Sequence, residues 1–539
     1  MQASQAYNRM NLEHDPEKWI PVFGKRSCST NRLERDDDSK KSHHALGVEK
    51  GAGAQRSSPA VAAARLSVSV PKPVRLSRKS ARAFAGDFGR RWTALCDAYA
   101  PRRDADGFWR SSTAEPLAVG QGWKIHLSAT LLSAIQMFER CAPTLARSGC
   151  HFKVAGSMAA IQKLNSGMAG RSQIGKIMTV YCPDPAKARA LALELQELTE
   201  GLPGPVVPSD QRLHPGSNVF YRYGAYDRLE IEIDGRKVPA YRDPTGNPVH
   251  DKRTKATAVP SWADDPFPAD MSRDGATPRR REGVRYAAFK TLSWRARGGV
   301  FLARRIGDVA GPHYVMKEGL RHGEVGIDGR SGVDRIRNEL RLLKSLSPAL
   351  AVPAPVDFFH QDGNAYLVTE FVQGKNLDEV LSEGPLPMDE RIAIARQMVE
   401  IVAALHAAGW CWRDCKTKNF VYADGRVWAI DFEFASRIRG RPALFAGTPG
   451  YVLEHQDVVS GRAAERQDLY ALGTALHRVF AGLSDEEAMT MASLPPLPPE
   501  VPAHINQLVA SLRHEIPRCR LSAAFARGVF DQLATAGAK

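Results

Sequence analysis

A chain of 539 residues exceeds what one hydrophobic core supports, so at least two domains are expected. Its 43% hydrophobic and 25% charged residues are the balance of an ordinary globular protein and exclude a fibre or a wholly disordered chain. The formal charge of +15 implies attraction to something acidic, but no zinc finger or aromatic-basic RNA-binding pattern accompanies it, so no nucleic-acid partner is expected. No apolar run approaches the ~18 residues of a membrane span, and the N-terminus lacks an apolar core like that of a signal peptide. Eight scattered cysteines without a C-x-x-C pair suit a reducing compartment and offer no zinc site. A cytoplasmic protein with no membrane contact is expected.

Residues 1–80 mix Ser, Ala, Lys and Arg with an acidic run at Asp36, Asp37 and Asp38, and no apolar periodicity, which predicts a disordered basic segment. From Phe84 onward periodicity appears. Leu131, Ile135 and Phe138 share a predicted helical face, as do Leu191, Leu195 and Leu198 before Gly201. Between these, Ile177–Tyr181 reads as a buried strand, and LEIEI, Asp234-Gly235 and RKVPAY read as a hairpin, because Asp-Gly takes positive φ readily. Residues 81–242 are thus predicted to form an α+β domain. The Pro-, Gly- and charge-rich stretch 243–283 is predicted to be a linker.

Beyond it, Tyr314-Val-Met-Lys317 puts a lysine at the end of an apolar strand, and Glu339 follows on a helix with the stripe Val333, Ile336, Leu340 and Leu343. A long amphipathic helix (Ala395, Met398, Val399, Val402, Leu405) leads into Arg413-Asp414-Cys-Lys416-Thr-Lys-Asn419, an Asp424-Gly425 hairpin, and Ile430-Asp431-Phe-Glu433. This order resembles the catalytic loop and metal-binding motif of protein kinases. Gly447-Thr448-Pro449-Gly450-Tyr451 with Glu454 resembles the end of an activation segment. Asp468–Gly473 is similar to the helix that supports the catalytic loop, and Leu367–Val372 to the hinge that meets adenine.

The resemblance implies a bilobal kinase-like domain over 284–539, with an N-lobe at 284–369 and a C-lobe at 373–539. It makes Asp414 the group that accepts or orients the hydroxyl proton, Lys416 the neutraliser of the transferring phosphoryl, and Asn419 with Asp431 the Mg²⁺ ligands. Gly298, Gly299, Lys317, Glu339, Glu370 and Val372 become the ATP- or GTP-binding residues. Three departures stand out. The glycine-rich loop is reduced to Gly298-Gly299, Trp412 stands where kinases carry His, and Glu433 where they carry Gly.

Upstream, Gln121-Gly-Trp-Lys124-Ile-His126-Leu, Phe152-Lys153, Arg171, Gly175-Lys176 and Tyr221-Arg222-Tyr-Gly224 follow in order. The set resembles the lyase domain of class III and class IV lanthipeptide synthetases, itself similar to phosphothreonine lyases, and in those synthetases a lyase precedes a kinase. The resemblance implies Lys153 as the base that removes the α-proton of phosphoserine or phosphothreonine, and His126 as the acid for the leaving phosphate. Lys124, Arg171, Lys176 and Arg222 would bind that phosphate and depress the lysine pKa. It further implies a precursor peptide with Ser/Thr residues as substrate, with an acidic leader suited to a basic enzyme. The full synthetases continue into a zinc-dependent cyclase, whereas this sequence ends after Cys519 and a short tail, so a separate cyclase is the expected partner. Two other readings stay open: a regulatory Ser/Thr kinase whose N-terminal domain only binds partners, and an inactive kinase-like scaffold.

Overall fold

The computed structural model describes residues 77–536 except 113–119, 183, 228, 268–284, 309, 385, 441–442, 445, 454–457 and 460. The expected disorder of residues 1–80 therefore lies almost wholly outside the described residues, as does Glu454. The first helix, α1 (Arg78–Tyr99), begins where the Ser77 hydroxyl accepts the Ser80 N–H at 2.9 Å.

The N-terminal domain is a seven-stranded antiparallel sheet in the order β1-β2-β4-β5-β3-β7-β6. Its strands are β1 (Arg102–Arg103), β2 (Trp109–Ser111), β3 (Gln121–Ser128), β4 (His151–Ala155), β5 (Lys176–Cys182), β6 (Gln211–Arg212) and β7 (Val219–Ala225). Alternation along each strand sends Ile125, Leu127, Phe152, Val154, Met178, Val180, Val219 and Tyr221 to one face, where all are buried. That face packs on α1, α2 (Ala134–Ser148), α3 (Met158–Ser166) and α4 (Pro185–Thr199) through Trp92, Phe138, Ile161 and Leu195. The opposite face carries the polar residues. Leu131 falls outside the helix predicted to contain it. The turn Thr130–Ser133, closed by the Thr130 and Ser133 hydroxyls at 2.8 Å, delays the helix start to Ala134.

A three-stranded sheet follows, β8 (Glu230–Ile233), β9 (Arg236–Arg242) and β10 (Pro248–His250), with the predicted Asp234-Gly235 turn between its first two strands. The linker expected over 243–283 is corrected in its first half. Residues 248–250 pair with β9, the Ala258 carbonyl accepts the Tyr223 N–H at 2.7 Å, and Phe267 is 1% exposed against Trp123 and Tyr221. Its polar composition reflects a chain that wraps the sheet edge.

The second half is bilobal. The sheet β11 (Tyr286–Arg295), β12 (Gly298–Arg305), β13 (Tyr314–Gly319), β15 (Asn364–Glu370), β14 (Pro355–Gln361) runs in that spatial order and is backed by α5 (Gly332–Leu346). Below it, α6 (Met388–Ala407) and α7 (Gly461–Ala481) bury Val399, Leu405, Leu472 and Phe480 in one core with Leu342 and Leu367 of the upper lobe. The two halves touch. Ile327 and Leu444 pack into the N-terminal core, and the Arg171 guanidinium lies 4.5 Å over the Trp294 ring. Among the described residues, no helix is long and apolar enough to cross a membrane.

Candidate active site

In the bilobal half, β13 buries Met316 and presents the next residue, Lys317, to the cleft. Lys317 Nζ lies 2.7 Å from Glu339 Oε1 on α5 and 2.9 Å from Asp431 Oδ1. Burial disfavours the ammonium, but Asp431 and Glu339 outweigh it and hold the pKa well above the usual lysine value. Asp431 adopts φ +66° and Arg413 φ +72°, left-handed conformations rare outside glycine and kept only where the surroundings dictate them. Asp468 on α7 supplies that constraint for the catalytic loop, accepting the Trp412 and Arg413 N–H groups at 2.6 Å each.

The loop so held brings together Asp414, Lys416 and Asn419. Lys416 Nζ is 2.8 Å from Asp414 Oδ2, the Thr448 hydroxyl donates to Asp414 Oδ1 at 2.7 Å, and Asn419 Nδ2 donates to the Asp414 carbonyl at 2.7 Å. With its Nδ2 so engaged, Asn419 has its amide oxygen left as the lone-pair atom that could meet a cation. Asp431 and Asn419 are hard oxygen ligands, as a divalent ion shared with nucleotide phosphates requires. The donor set fits.

Two expected nucleotide contacts read differently in the structure. Gly298 and Gly299 lie inside β12, paired with Arg295 and Trp294, and not in an open loop. A Cβ on Gly298 would stand 1.8 Å from the Glu318 carbonyl oxygen, and one on Gly299 2.2 Å from the Phe301 ring, so the protein's own packing demands glycine there. At the expected hinge, Glu370 donates its N–H to the Ala354 carbonyl at 3.0 Å.

The polar face of the N-terminal sheet gathers cations. Lys124 and His126 alternate along β3, with Arg222 opposite Lys124 on β7, and Thr179 of β5 lies opposite both His126 and Lys153 of β4. Burial, then Lys153 and Arg222, pull Lys124 down to about 7. Burial lowers Lys153 to about 8, with Asp104 opposing, and its ammonium lies 4.2 Å over the Trp109 ring. Lys176, also lowered by burial to about 8, is held 2.8 Å from Asp210 Oδ1. These lysines are near the point where neutral amine becomes available at physiological pH.

His126 Nδ1 lies 2.5 Å from Asp210 Oδ2, outside straight hydrogen-bond geometry. Burial and Lys176 lower the imidazole to about 3, against the pull of Asp210, so His126 is neutral in the free protein. An acid role therefore depends on the charge of an arriving phosphate. Asp210 itself is pushed up by burial but held well below the carboxylate range by Lys176 and His126.

Arg171, expected with these cations, stacks instead on Trp294 of the kinase-like half. Its place is taken by Arg253, whose charge bears on Lys124, Lys153 and Lys176. Asp251 bridges Arg222 and Arg253, the latter at 3.3 Å. Sequence reasoning missed Asp210, Asp251 and Arg253. The last two lie in the stretch read as linker, where nothing periodic marks them.

Comparison with known proteins matches residues 96–278 to the RamC N-terminal domain and residues 298–526 to the protein kinase domain. A Streptomyces coelicolor protein described as "Probable SapB synthase" is 32% identical over 347 residues, 62% of this chain and 37% of that one. Serine/threonine-protein kinase pkn2 of Myxococcus xanthus is 33% identical over 160 residues, 28% of this chain and 19% of its own. Serine/threonine-protein kinase PknE of Mycobacterium tuberculosis is 28% identical over 269 residues, 47% and 44% of the two chains. The chain thus spans less than half the length of each of these relatives.

Proposed function

We propose that this chain, which joins a RamC-type N-terminal domain to a protein kinase domain and is thereby lanthipeptide synthetase-like, dehydrates Ser and Thr of a ribosomally made precursor peptide in the cytoplasm. The observation that carries the reading is the cluster of cations around His126, with Lys176 and Arg222 buried, Lys124 and Lys153 half-buried and Arg253 at its exposed rim, in the same chain as a phosphotransfer cleft. Such a cluster suits a phosphate dianion and a lysine base at once.

In the first step the substrate hydroxyl oxygen attacks the γ-phosphorus of ATP or GTP. The bond to the bridging oxygen breaks, the nucleoside diphosphate departs, and Asp414 takes the hydroxyl proton. Lys416 faces the transferring group, and Lys317, placed by Glu339, holds the other phosphates. Mg²⁺ held by Asn419 and Asp431 would neutralise phosphate charge. In the second step the Lys153 amine removes the α-proton, the electron pair forms the Cα=Cβ bond, and the Cβ–O bond breaks. His126, protonated once the dianion has raised its pKa, donates to the departing oxygen. Dehydroalanine or dehydrobutyrine and inorganic phosphate result. An acidic leader would suit the basic surface, and ring closure would fall to a separate cyclase.

The test follows peptide mass after incubating the full chain with ATP, Mg²⁺ and the peptide encoded beside its gene. Loss of water supports dehydration, gain of phosphate alone points to a regulatory kinase, and no change to a scaffold. Lys153→Ala should stall at phosphopeptide. Asp414→Ala should leave the peptide unmodified yet still release phosphate from a synthetic phosphothreonine peptide; dehydration of the unphosphorylated peptide by this variant would refute the order of steps.

A further inference from the structure

The strands β11 and β12 are joined by two residues, Ala296 and Arg297, because Arg295 already pairs with Gly298. In kinases this hairpin covers the nucleotide phosphates with flexible glycine backbone. Here the glycines that remain are consumed by packing against Glu318 and Phe301, and the tip carries a large cationic side chain.

That side chain is fully engaged. Arg297 Nε donates to Glu433 Oε2 at 2.8 Å and Nη2 to Glu433 Oε1, a two-pronged pair, while Nη1 donates to Glu324 Oε2 at 3.0 Å. Its guanidinium lies 4.9 Å over the Phe434 ring, and its backbone carbonyl accepts the Leu320 N–H at 2.8 Å. All three charged side chains are largely buried. Glu433 stands two residues after the metal ligand Asp431, where kinases carry glycine, and a glycine there would offer Arg297 no partner. Whatever lifts the hairpin tip therefore pulls on the segment that positions Asp431.

We infer that Arg297 and Glu433 are a positioning pair, which fixes the phosphate-covering hairpin to the metal-binding segment and does with a buried ion pair what mobile glycine backbone does elsewhere. The two unusual residues then explain each other. The hairpin short of glycines carries an arginine at its tip, and the metal-binding motif without its glycine carries the carboxylate this arginine needs. A hairpin already held in place binds phosphates without first having to be ordered. Neither residue touches the reacting atoms.

The inference rests on the phosphotransferase reading above, and its test separates the two. Mg²⁺-ADP and adenosine are titrated calorimetrically into the full chain and into Glu433→Gln and Arg297→Lys. Because lysine cannot reproduce the two-pronged geometry, each variant should bind Mg²⁺-ADP about tenfold more weakly. The double variant should be no worse than either single one, since both remove the same interaction. Adenosine, which has no phosphates, should bind all of them equally, and phosphate release from a phosphothreonine peptide should be unchanged. Variants that bind Mg²⁺-ADP as tightly as the parent, or tighter, would overturn the inference. So would an equal loss of adenosine, which would mean the lobes had simply come apart. A parent chain that binds no Mg²⁺-ADP would overturn the phosphotransferase reading and the pair together.

Discussion

The three softened lysines make opposite demands on pH, and that conflict can be measured. In the proposed elimination Lys153 must be neutral, while phosphate capture calls for Lys124 and Lys176 to be charged. With Lys153 and Lys176 at about 8 and Lys124 at about 7, raising the pH arms the base and discharges the binding site together. Between pH 6.5 and 8 the neutral fraction of Lys153 rises about sixteenfold, while the charged fraction of Lys124 falls about eightfold and that of Lys176 about twofold. The product barely moves. Wild-type kcat/KM on a phosphothreonine peptide, followed by phosphate release without nucleotide, should therefore stay within about twofold over this range, with a shallow maximum above pH 7. Lys124→Arg removes one opposing limb, because a guanidinium does not discharge here, and its kcat/KM should climb about eightfold over the same interval. Its rise should also begin at lower pH, since a neighbour that keeps its charge presses harder on Lys153. A wild-type rate that climbs steeply, or a Lys124→Arg profile as flat as the parent's, would refute the assignment of base and binding roles.

Two further outcomes follow from the same cluster. Asp210→Asn leaves Lys176 buried without the carboxylate now 2.8 Å away, so the chain should lose about 3–5 kcal/mol of stability; an unchanged denaturation midpoint would contradict this. Lysines whose folded pKa is lowered cost stability wherever they must carry a proton, and that cost fades as pH rises from the folded value toward the ordinary one. The melting temperature without ligand should therefore rise between pH 7 and 9.5 through this cluster, and the increment given by inorganic phosphate should be large at pH 7 and small at pH 9.5. A phosphate effect independent of pH would mean the anion binds elsewhere.

What could be read from the sequence was whatever local geometry encodes. The Lys124-x-His126 alternation needs only the two-residue period of a strand to place both on one face, and the helix carrying Glu339 shows its stripe in the letters themselves. The loop Asp414–Asn419 was legible because its spacing is set by backbone turns within one segment. The packing around glycine was not legible for the opposite reason. What excludes a side chain at Gly298 and Gly299 is the Glu318 carbonyl and the Phe301 ring, one of them a strand away.

Charges that act across the fold were the hardest to see, and the physics says why. A buried ion pair requires only that two side chains meet in space, so Asp210 with Lys176, Asp251 with Arg222, and Arg297 with Glu433 are separated by 34, 29 and 136 residues and follow no period. Composition even pointed the wrong way: the segment holding Asp251 and Arg253 is polar and proline-rich because it crosses the rim of a sheet whose functional face is itself polar. Such a segment has no apolar stripe to betray that it belongs to a domain. What does betray it is the charge balance. Lys176 and Arg222, both buried on one face, could not be stable without carboxylates, and two buried ones, Asp210 and Asp251, had to arrive from somewhere in the chain.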